Sequence, residues 1–377
     1  MLGSRGIPAQ YSGIEASLQE ICPRLVKRGH RVSVYCAART APVAQASPPA
    51  SSPVPVTYKG VLLRRLPAIY TKHLETATRT LLSALSEMAS DNDIVHFHAL
   101  GPSFLSFIPR FAGKSTVATV HGLDWQRAKW GTAARTVLKL GEWGAAHFPD
   151  ATVVVSQSLK EYFYQKYDKE VFCIPNGVNI PKPKGRELLA RLGLQSSPYI
   201  LYVSRLIRGK GLGCLLRAFN SMKTEHKLVL AGDAGYDHHY EKQLRRLAGD
   251  SVIFAGFVTG RLLEELYSNA EFYVHPAPME GLSISLLEAM SYGRCVLASD
   301  IPPNREVLSD KGFYFAPGDV EELKRSMTRL LSGAELRQHK GQEAREHVSK
   351  CYNWDRIVDK IEQLYIDVLK RRRKCPA

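Results

Sequence analysis

The chain has 377 residues, 45% of them hydrophobic and 23% charged, which is enough for two or three domains with sizeable cores. This composition excludes intrinsically disordered, collagen-like and mucin-like proteins. The formal net charge of +15 favours anionic partners, namely nucleic acid, acidic lipid or phosphorylated small molecules. No stretch approaches the roughly 20 apolar residues that a membrane helix needs, and residues 1–11 lack a signal-peptide core, so we expect a soluble or peripheral protein.

Short apolar runs typical of strands alternate with helical patterns along the whole chain. In the first half the predicted strands are 32–36, 61–66, 94–97, 116–120, 152–155 and 171–174. In the second half they are 199–203, 227–231, 252–254, 272–275, 295–298 and 313–315. Strands that alternate with helices form parallel sheets, so the sequence predicts two doubly wound α/β domains in tandem. Ligands of such sheets bind beyond the carboxyl ends of the strands, and we expect them in a cleft between the domains.

The breaks in this pattern predict the domain boundaries. A connection with Gly and Pro at 176–184 separates a first domain, 1–176, from a second domain, 185–350. Residues 351–377 form a terminal helix with an apolar stripe, which we expect to pack back onto the first domain. The proline-rich residues 41–56 predict a long exposed loop inside the first domain.

Cysteine usage and the basic C-terminus bear on the cellular location. The seven cysteines are dispersed without a CxxC pair, which is typical of reduced thiols in the cytoplasm. The basic run 370–374 (KRRRK) suits an acidic membrane surface, and a solvated chain end is the alternative. We therefore expect a cytoplasmic protein, with the inner face of the plasma membrane as a candidate partner.

The strongest candidate site is segment 280–288 (EGLSISLLE), between a predicted strand and a predicted helix. Free N–H groups and the positive end of the helix dipole suit a diphosphate there. Glu280 would accept hydrogen bonds from sugar hydroxyls, and Glu288, two turns on, would reach another hydroxylated part of the ligand. The alternative for Glu288 is a capping box that starts at Ser285, in which it only satisfies a backbone N–H.

Two cations follow the predicted strand 199–203. Arg205 and Lys210 would neutralise a departing diphosphate, and the alternative is an ordinary basic loop. The segment is not a GxGxxG dinucleotide fingerprint, because Cys214 stands where the third glycine belongs. The sequence also has no GxxxxGK[ST] phosphate loop.

The first domain offers weaker candidates. A glycine-bearing loop ends at Gly13 and leads into a helix, which is a second potential anion site. His121 follows the strand 116–120, where a structural role is the alternative to a catalytic one. His96 and His98 share one strand face without a third ligand nearby, so we expect no zinc. Residues 91–93 (DND) precede a strand, which indicates a turn, and we expect no catalytic metal.

Taken together, segment 280–288, Arg205, Lys210 and His121 resemble the family-4 retaining glycosyltransferases of the GT-B fold. The segment EGLSISLLEAMSYG matches the pair of glutamates, with seven residues between them, that marks that family. The first half is similar to a bacterial subgroup labelled rhamnosyltransferases. The resemblance implies an α/β GT-B architecture with two doubly wound Rossmann-like domains that face a central cleft.

The resemblance also implies roles for the candidate residues. Glu280 and His121 would contact the donor sugar, and Glu288 would contact the ribose. The base would rest near 256–258. Groups around the diphosphate would be Arg205, Lys210, Gly13 and the backbone of Gly281, Leu282, Ser283 and Ile284.

The function implied is transfer of a sugar from a nucleotide-diphosphate-sugar donor to a hydroxyl of a glycan or lipid-linked glycan acceptor. Enzymes of this kind retain the anomeric configuration and use no metal, no cofactor and no clear protein nucleophile. The process would be bacterial surface polysaccharide or glycoconjugate synthesis, and we expect no nucleic-acid partner. Three departures stand out: Ser12 precedes Gly13, Ser283 replaces a common glycine, and Met1–Leu2 is too short for the first strand, so we expect a missing N-terminal stretch.

Two alternatives remain at the level of sequence. A nicotinamide-dependent Rossmann oxidoreductase would need a complete glycine fingerprint and a ribose-binding acid about 20 residues later. A non-catalytic binder of anionic surfaces would rely on the positive charge alone and would not need Glu280.

Overall fold

The computed structural model describes residues 1–9, 13–37, 56–69, 74–126, 130–235 and 237–374. Ser12 and all but residue 56 of the predicted loop 41–56 lie outside these ranges. The chain divides into two compact units, one formed by Met1–Asn176 with Trp354–Ala377 and the other by Gly177–Asn353. In the described part of the chain, no helix combines the length and the hydropathy that a membrane span requires.

The first unit contains strands β1 to β7 and helices α1 to α6 and α14. The strands are β1 Ser33–Ala37, β2 Thr57–Tyr58, β3 Val61–Leu66, β4 Ile94–His98, β5 Ser115–Val120, β6 Ala151–Val154 and β7 Phe172–Cys173. The helices are α1 Gly13–Lys27, α2 Leu74–Met88, α3 Leu100–Ser103, α4 Phe107–Phe111, α5 Thr132–His147, α6 Gln157–Tyr167 and α14 Trp354–Lys374. The strands are ordered β1-β3-β2 and β4-β5-β6-β7, and every pair is parallel except β2 with β3.

Met1–Leu2 is too short for the first strand, and a single residue, Leu2, forms a β-bridge to β4 instead. Its N–H donates to the His96 carbonyl at 2.9 Å, its carbonyl accepts from His98 N–H at 2.9 Å, and it forms a parallel bridge with Phe97. On the other side, Met1 O accepts from Tyr35 N–H of β1 at 3.1 Å. Leu2 is fully buried, so Met1 and Leu2 connect β1 to β4 by backbone hydrogen bonds and by packing.

Helix α14 belongs to the core of the first unit. Its buried apolar side chains recur at intervals of three and four, which places them on one helix face: Trp354, Ile357, Val358, Ile361, Leu364 and Val368. They pack with Ile21 and Leu25 of α1 and with Val117 of β5. The helix therefore covers one side of the β4-β5-β6-β7 sheet.

The second unit contains one six-stranded parallel sheet in the order β10-β9-β8-β11-β12-β13. The strands are β8 Tyr199–Val203, β9 Lys227–Ala231, β10 Val252–Gly256, β11 Tyr273–His275, β12 Val296–Ser299 and β13 Phe313–Phe315. The helices are α7 Leu212–Asn220, α8 His238–Leu247, α9 Gly260–Asn269, α10 Ile284–Ser291, α11 Pro302–Leu308, α12 Val320–Ser332 and α13 Ala334–Cys351. Central strands are apolar on both faces because helices cover both sides. The α/β class is confirmed in both units.

The packing of α14 gives a direct test. Leu364→Ala should lower the free energy of unfolding by about 2–4 kcal/mol, because it removes buried methyl groups and leaves a cavity. The neighbouring control Gln363→Ala changes an exposed side chain and should stay within about 0.5 kcal/mol of wild type. Urea unfolding followed by circular dichroism measures both, and equal effects of the two substitutions would contradict this packing.

Candidate functional site

The loop after β8 approaches the carboxyl end of β11 very closely. Gly209 and Gly211 adopt left-handed φ angles of +86° and +75°. A Cβ atom at Gly211 would lie 2.0 Å from the carbonyl oxygen of Pro276, which directly follows β11. Only glycine permits this approach, and it sets Lys210 beside the segment that begins at Glu280.

Lys210 and Glu280 form an ion pair at this edge of the sheet. Lys210 Nζ donates to Glu280 Oε1, and His275 Nε2 lies 3.5 Å from the same oxygen. The side chains of Lys210 and Glu280 are only 15% and 10% exposed. Burial raises the pKa of Glu280, but the charge of Lys210 and the interaction with His275 lower it more, so the net pKa lies well below its ordinary value. Glu280 is therefore a carboxylate at any physiological pH.

Helix α10 carries Glu288 and begins just after segment 280–283. Its N-cap is Ser283, whose Oγ accepts from Leu286 N–H at 3.4 Å. Ser285 lies inside the helix, so the capping-box interpretation of Ser285 and Glu288 is wrong. Glu288 Oε2 instead accepts from Tyr267 OH at 2.9 Å. This contact ties Glu288, about one helical turn after the start of α10, to α9.

The remaining candidates of the second unit follow other strands of the same sheet. Arg205 is half-buried just after β8, and Gly256 ends β10 with a φ of +69°. A Cβ at Gly232, after β9, would lie 1.9 Å from the carbonyl oxygen of Ser204. The structure thus places Arg205, Lys210, Glu280 and the segments 256–258 and 281–284 at the carboxyl edge of one parallel sheet, where such sheets bind ligands.

In the first unit, His121 pairs with a histidine from the neighbouring strand. His121 follows β5 and His98 ends β4, and their Nε2 and Nδ1 atoms are 3.2 Å apart. The His98 ring also stacks on His96 with 4.3 Å between centroids, and His96 contacts Tyr365 OH at 2.6 Å and Thr119 Oγ1 at 2.7 Å. Burial lowers the pKa of both His96 and His98 well below the ordinary value, so both rings are neutral.

A small cavity adjoins these rings and is lined in part by His98, His121 and Asn176. Its volume of about 20 Å³ is far below the roughly 300 Å³ or more of ligand pockets. The cavity is therefore too small to hold a sugar. Asn176 also connects the cavity wall to the start of α1, because Ser17 Oγ donates to Asn176 Oδ1 at 2.8 Å and lies 2.9 Å from the carbonyl oxygen of Gly13.

The segment that follows His121 is anchored by Glu142, a residue that sequence reasoning missed. The fully buried carboxylate accepts from Trp125 Nε1, Tyr162 OH, Lys166 Nζ and Tyr167 OH, the last three at 2.9, 2.6 and 2.6 Å. Burial raises the pKa of Glu142, but these hydrogen bonds lower it more, and the net pKa lies below the ordinary value. A lone glutamate in the otherwise apolar part of α5 was the available signal.

Among the residues that the structure describes, no group of three or more His, Cys, Asp and Glu side chains is arranged to hold a metal ion. Asp91 pairs with Arg31 at 3.1 Å, and Asn92 donates to Glu87 at 2.7 Å, so two of the three residues of segment 91–93 make local contacts ahead of β4.

Known protein families match both halves of the chain. A family model described as Glycosyltransferase Family 4 matches residues 11–182, and a model described as Glycosyl transferases group 1 matches residues 187–347. An uncharacterized glycosyltransferase of Methanocaldococcus jannaschii is 29% identical over 229 residues, which are 56% of this chain and 59% of that protein. The sulfoquinovosyl transferase of Arabidopsis thaliana is 32% identical over 190 residues, 48% of this chain and 36% of that protein. The matches thus span less than two thirds of these relatives.

Solved structures match nearly the whole chain. Sucrose-phosphate synthase of Thermosynechococcus elongatus has a TM-score of 0.81 at 21% identity, covering 97% of this chain and 96% of that one. Anabaena HepE in complex with UDP-glucose has a TM-score of 0.78 at 18% identity, covering 96% and 98%. Fold and family matches together define the class as glycosyltransferases of the GT-B fold. Both family models are models of glycosyltransferases, and they match the first and second halves of the chain, respectively.

The buried Glu142 predicts a pH-dependent difference in stability. Glu142→Gln should lower the free energy of unfolding by about 1–3 kcal/mol at pH 7, because four donors lose a charged acceptor. Since the folded pKa is depressed, this contribution is complete above the unfolded value of about 4.3 and is lost as pH falls toward the folded pKa.

The measurement is urea unfolding from pH 7 to pH 3 for wild type and variant. The matched control is Glu161→Gln on α6, which removes the same charge from an exposed side chain. A difference in the free energy of unfolding between wild type and Glu142→Gln that stays constant from pH 7 to pH 3 would contradict the assignment.

Proposed function

We propose that the protein transfers a sugar from a nucleotide-diphosphate-sugar donor to a hydroxyl group of an acceptor. The observation that carries the proposal is the pairing of Lys210 with the ionised Glu280 just before the start of α10. The contact unites a cation suited to phosphate and a carboxylate suited to sugar hydroxyls in one small region. The matches to glycosyltransferase models and the UDP-glucose named in the Anabaena HepE complex support it.

Positive groups of the second unit would stabilise the leaving diphosphate. Lys210, Arg205 and the backbone N–H groups of 281–284 would contact its oxygens, in the place where negative charge develops during transfer. Glu280 would accept hydrogen bonds from the sugar, and Glu288 from the ribose. In the first unit, His121 would contact the sugar near the reacting carbon, and Gly13 would contact the diphosphate. The base would rest near 256–258.

The reaction would proceed with retention and without a metal ion. The bond between the anomeric carbon and the diphosphate oxygen breaks, and a new bond forms to the acceptor oxygen on the same face. The acceptor proton passes to the departing diphosphate, so no protein base is needed. The preorganised positive charge around the diphosphate would then supply the main stabilisation of the transition state.

The substrates and setting follow from the family resemblance. The transferred sugar would be a hexose or a deoxyhexose. The acceptor would be a glycan or lipid-linked glycan, used in surface polysaccharide or glycoconjugate synthesis at the cytoplasmic face of the membrane.

A donor panel tests the proposal. UDP-, GDP- and dTDP-sugars are compared by thermal shift, and the true donor should raise the melting temperature by mass action. With that donor, Glu280→Gln should lower turnover by about 100-fold or more, because the sugar loses a charged acceptor. The control Glu264→Gln on α9 should leave turnover unchanged. Unchanged turnover in Glu280→Gln would reject the assigned role.

The contact between His98 and His121 predicts that two substitutions of His98 have different effects on turnover. His98→Asn keeps an amide near the position of Nδ1, whereas His98→Gln places the amide near Nε2. If His98 orients His121 through Nδ1, the Asn variant should retain most of the turnover number and the Gln variant should lose about tenfold. Donor KM should be similar in both. Steady-state kinetics measures the split, and equal losses in the two variants would show that His98 only fills space.

A further inference from the structure

An unusual band of aromatic rings runs along the surface of the first unit. Phe111, at the end of α4, is 86% exposed, and its ring contacts Phe107 with 6.1 Å between centroids. Phe107 contacts Phe148 at 5.3 Å, and Phe148 contacts Trp143 of α5 at 5.2 Å. Trp143 is itself 44% exposed. Four aromatic rings in continuous contact therefore connect α4 to α5 and reach solvent at both ends.

Helix α5 extends this aromatic band with aliphatic side chains. Leu140 and Val137 precede Trp143 by three and six positions, which places them on neighbouring turns of one helix face. Both are more than half exposed. Single exposed apolar residues are ordinary, but a contiguous apolar surface of this kind marks an interaction site.

Helix α2 packs against α4, and it buries several polar side chains while it exposes large apolar ones. It buries the polar residues Arg79, Ser83 and Glu87, and Glu87 accepts a hydrogen bond from Tyr35 OH at 2.7 Å. Its exposed positions include a helical stripe of large apolar residues: Leu81, Leu82, Leu85 and Met88. A helix that faced only water would show the opposite arrangement. The stripe gives the first unit a second exposed apolar face.

Cations are held against the aromatic band. Arg110 Nη1 donates to the Phe148 carbonyl at 2.8 Å, and Arg372 of α14 donates to the carbonyl oxygens of Lys114 and Arg110. Both guanidiniums share one carboxylate, that of Asp150, at 3.1 and 3.7 Å. Three neighbours of Arg372 in the basic run have exposed side chains: Lys370, Arg371 and Arg373. The end of the band is therefore strongly positive.

We propose that this surface docks on an anionic lipid bilayer. Exposed Trp, Phe and Leu side chains would enter the boundary between headgroups and acyl chains, while the arginines would lie against acidic phosphates. The positive charge favours a lipid surface over a second copy of the chain, because a second copy would bring like charges together. The proposal goes beyond the transfer reaction and does not depend on it.

The test is sedimentation of the full chain with phosphatidylcholine vesicles, with and without phosphatidylglycerol. Wild type should bind the mixed vesicles more strongly. The double variant Phe111→Ser with Leu140→Ser should lose about tenfold or more in partitioning into vesicles, because it removes apolar area that the bilayer would bury. The matched control Leu247→Ser, on α8 of the second unit, should bind as wild type does. Arg371→Glu with Arg373→Glu should lose about tenfold for mixed vesicles only.

Melting temperatures and donor-induced thermal shifts of all variants show that they fold and bind nucleotide sugar. These readouts separate failure of this proposal from failure of the transferase assignment. The proposal would be overturned by mixed-vesicle binding that is the same in wild type and both double variants, or by no binding of wild type to mixed vesicles. Self-association of wild type that the Phe111→Ser and Leu140→Ser pair abolishes, without vesicle binding, would also overturn it, because the surface would then be an interface between copies.

Discussion

The candidate chemistry of this protein depends on one contact, the ion pair between Lys210 and Glu280. Taken separately, a largely buried lysine and a largely buried glutamate would each lose hydration without compensation. Paired, they keep both charges at the carboxyl edge of the sheet, and the depressed pKa of Glu280 secures its carboxylate form. In the proposed reaction, Lys210 would bind the diphosphate and Glu280 would accept hydrogen bonds from the sugar.

The backbone makes this pair possible. Gly211 lets the loop after β8 touch the carbonyl of Pro276, and Gly232 lets the loop after β9 touch that of Ser204. A side chain at Gly211 would force the loop after β8 away from Pro276 and separate the two charges. In the first unit, Glu142 plays a comparable part by fixing the segment that follows His121. Rigid surroundings of this kind reduce the reorganisation needed when ligand charge develops.

Much of the fold was predictable from the sequence because the strands are continuous apolar runs between helices. Predicted strand 199–203 coincides with β8, and the α/β class is confirmed. Leu2 escaped prediction, since one bridge residue leaves no periodic pattern. Strand β2 escaped for the same reason, because it has only two residues.

The chemistry of the candidate site was harder to predict than its residue types. Glu280 and Lys210 were singled out, but their pairing spans 70 positions and depends on the close approach at Gly211. The contact between His98 and His121 likewise depends on the register of β4 against β5, which pairs His98 with Thr119. The polarity of α2 was unpredictable locally, because its helical pattern does not say which stripe faces the core.

The central claim is that Glu280 recognises the carbohydrate while neighbouring cations recognise the diphosphate. Isothermal titration calorimetry separates carbohydrate recognition from diphosphate recognition. The preferred nucleotide sugar, or the same nucleotide diphosphate without its sugar, is titrated into wild type and into Glu280→Gln. The account predicts a large loss of affinity for the nucleotide sugar and unchanged or tighter binding of the free nucleotide diphosphate, because Lys210 is released from its partner. Equal losses for both ligands, or none for either, would contradict it.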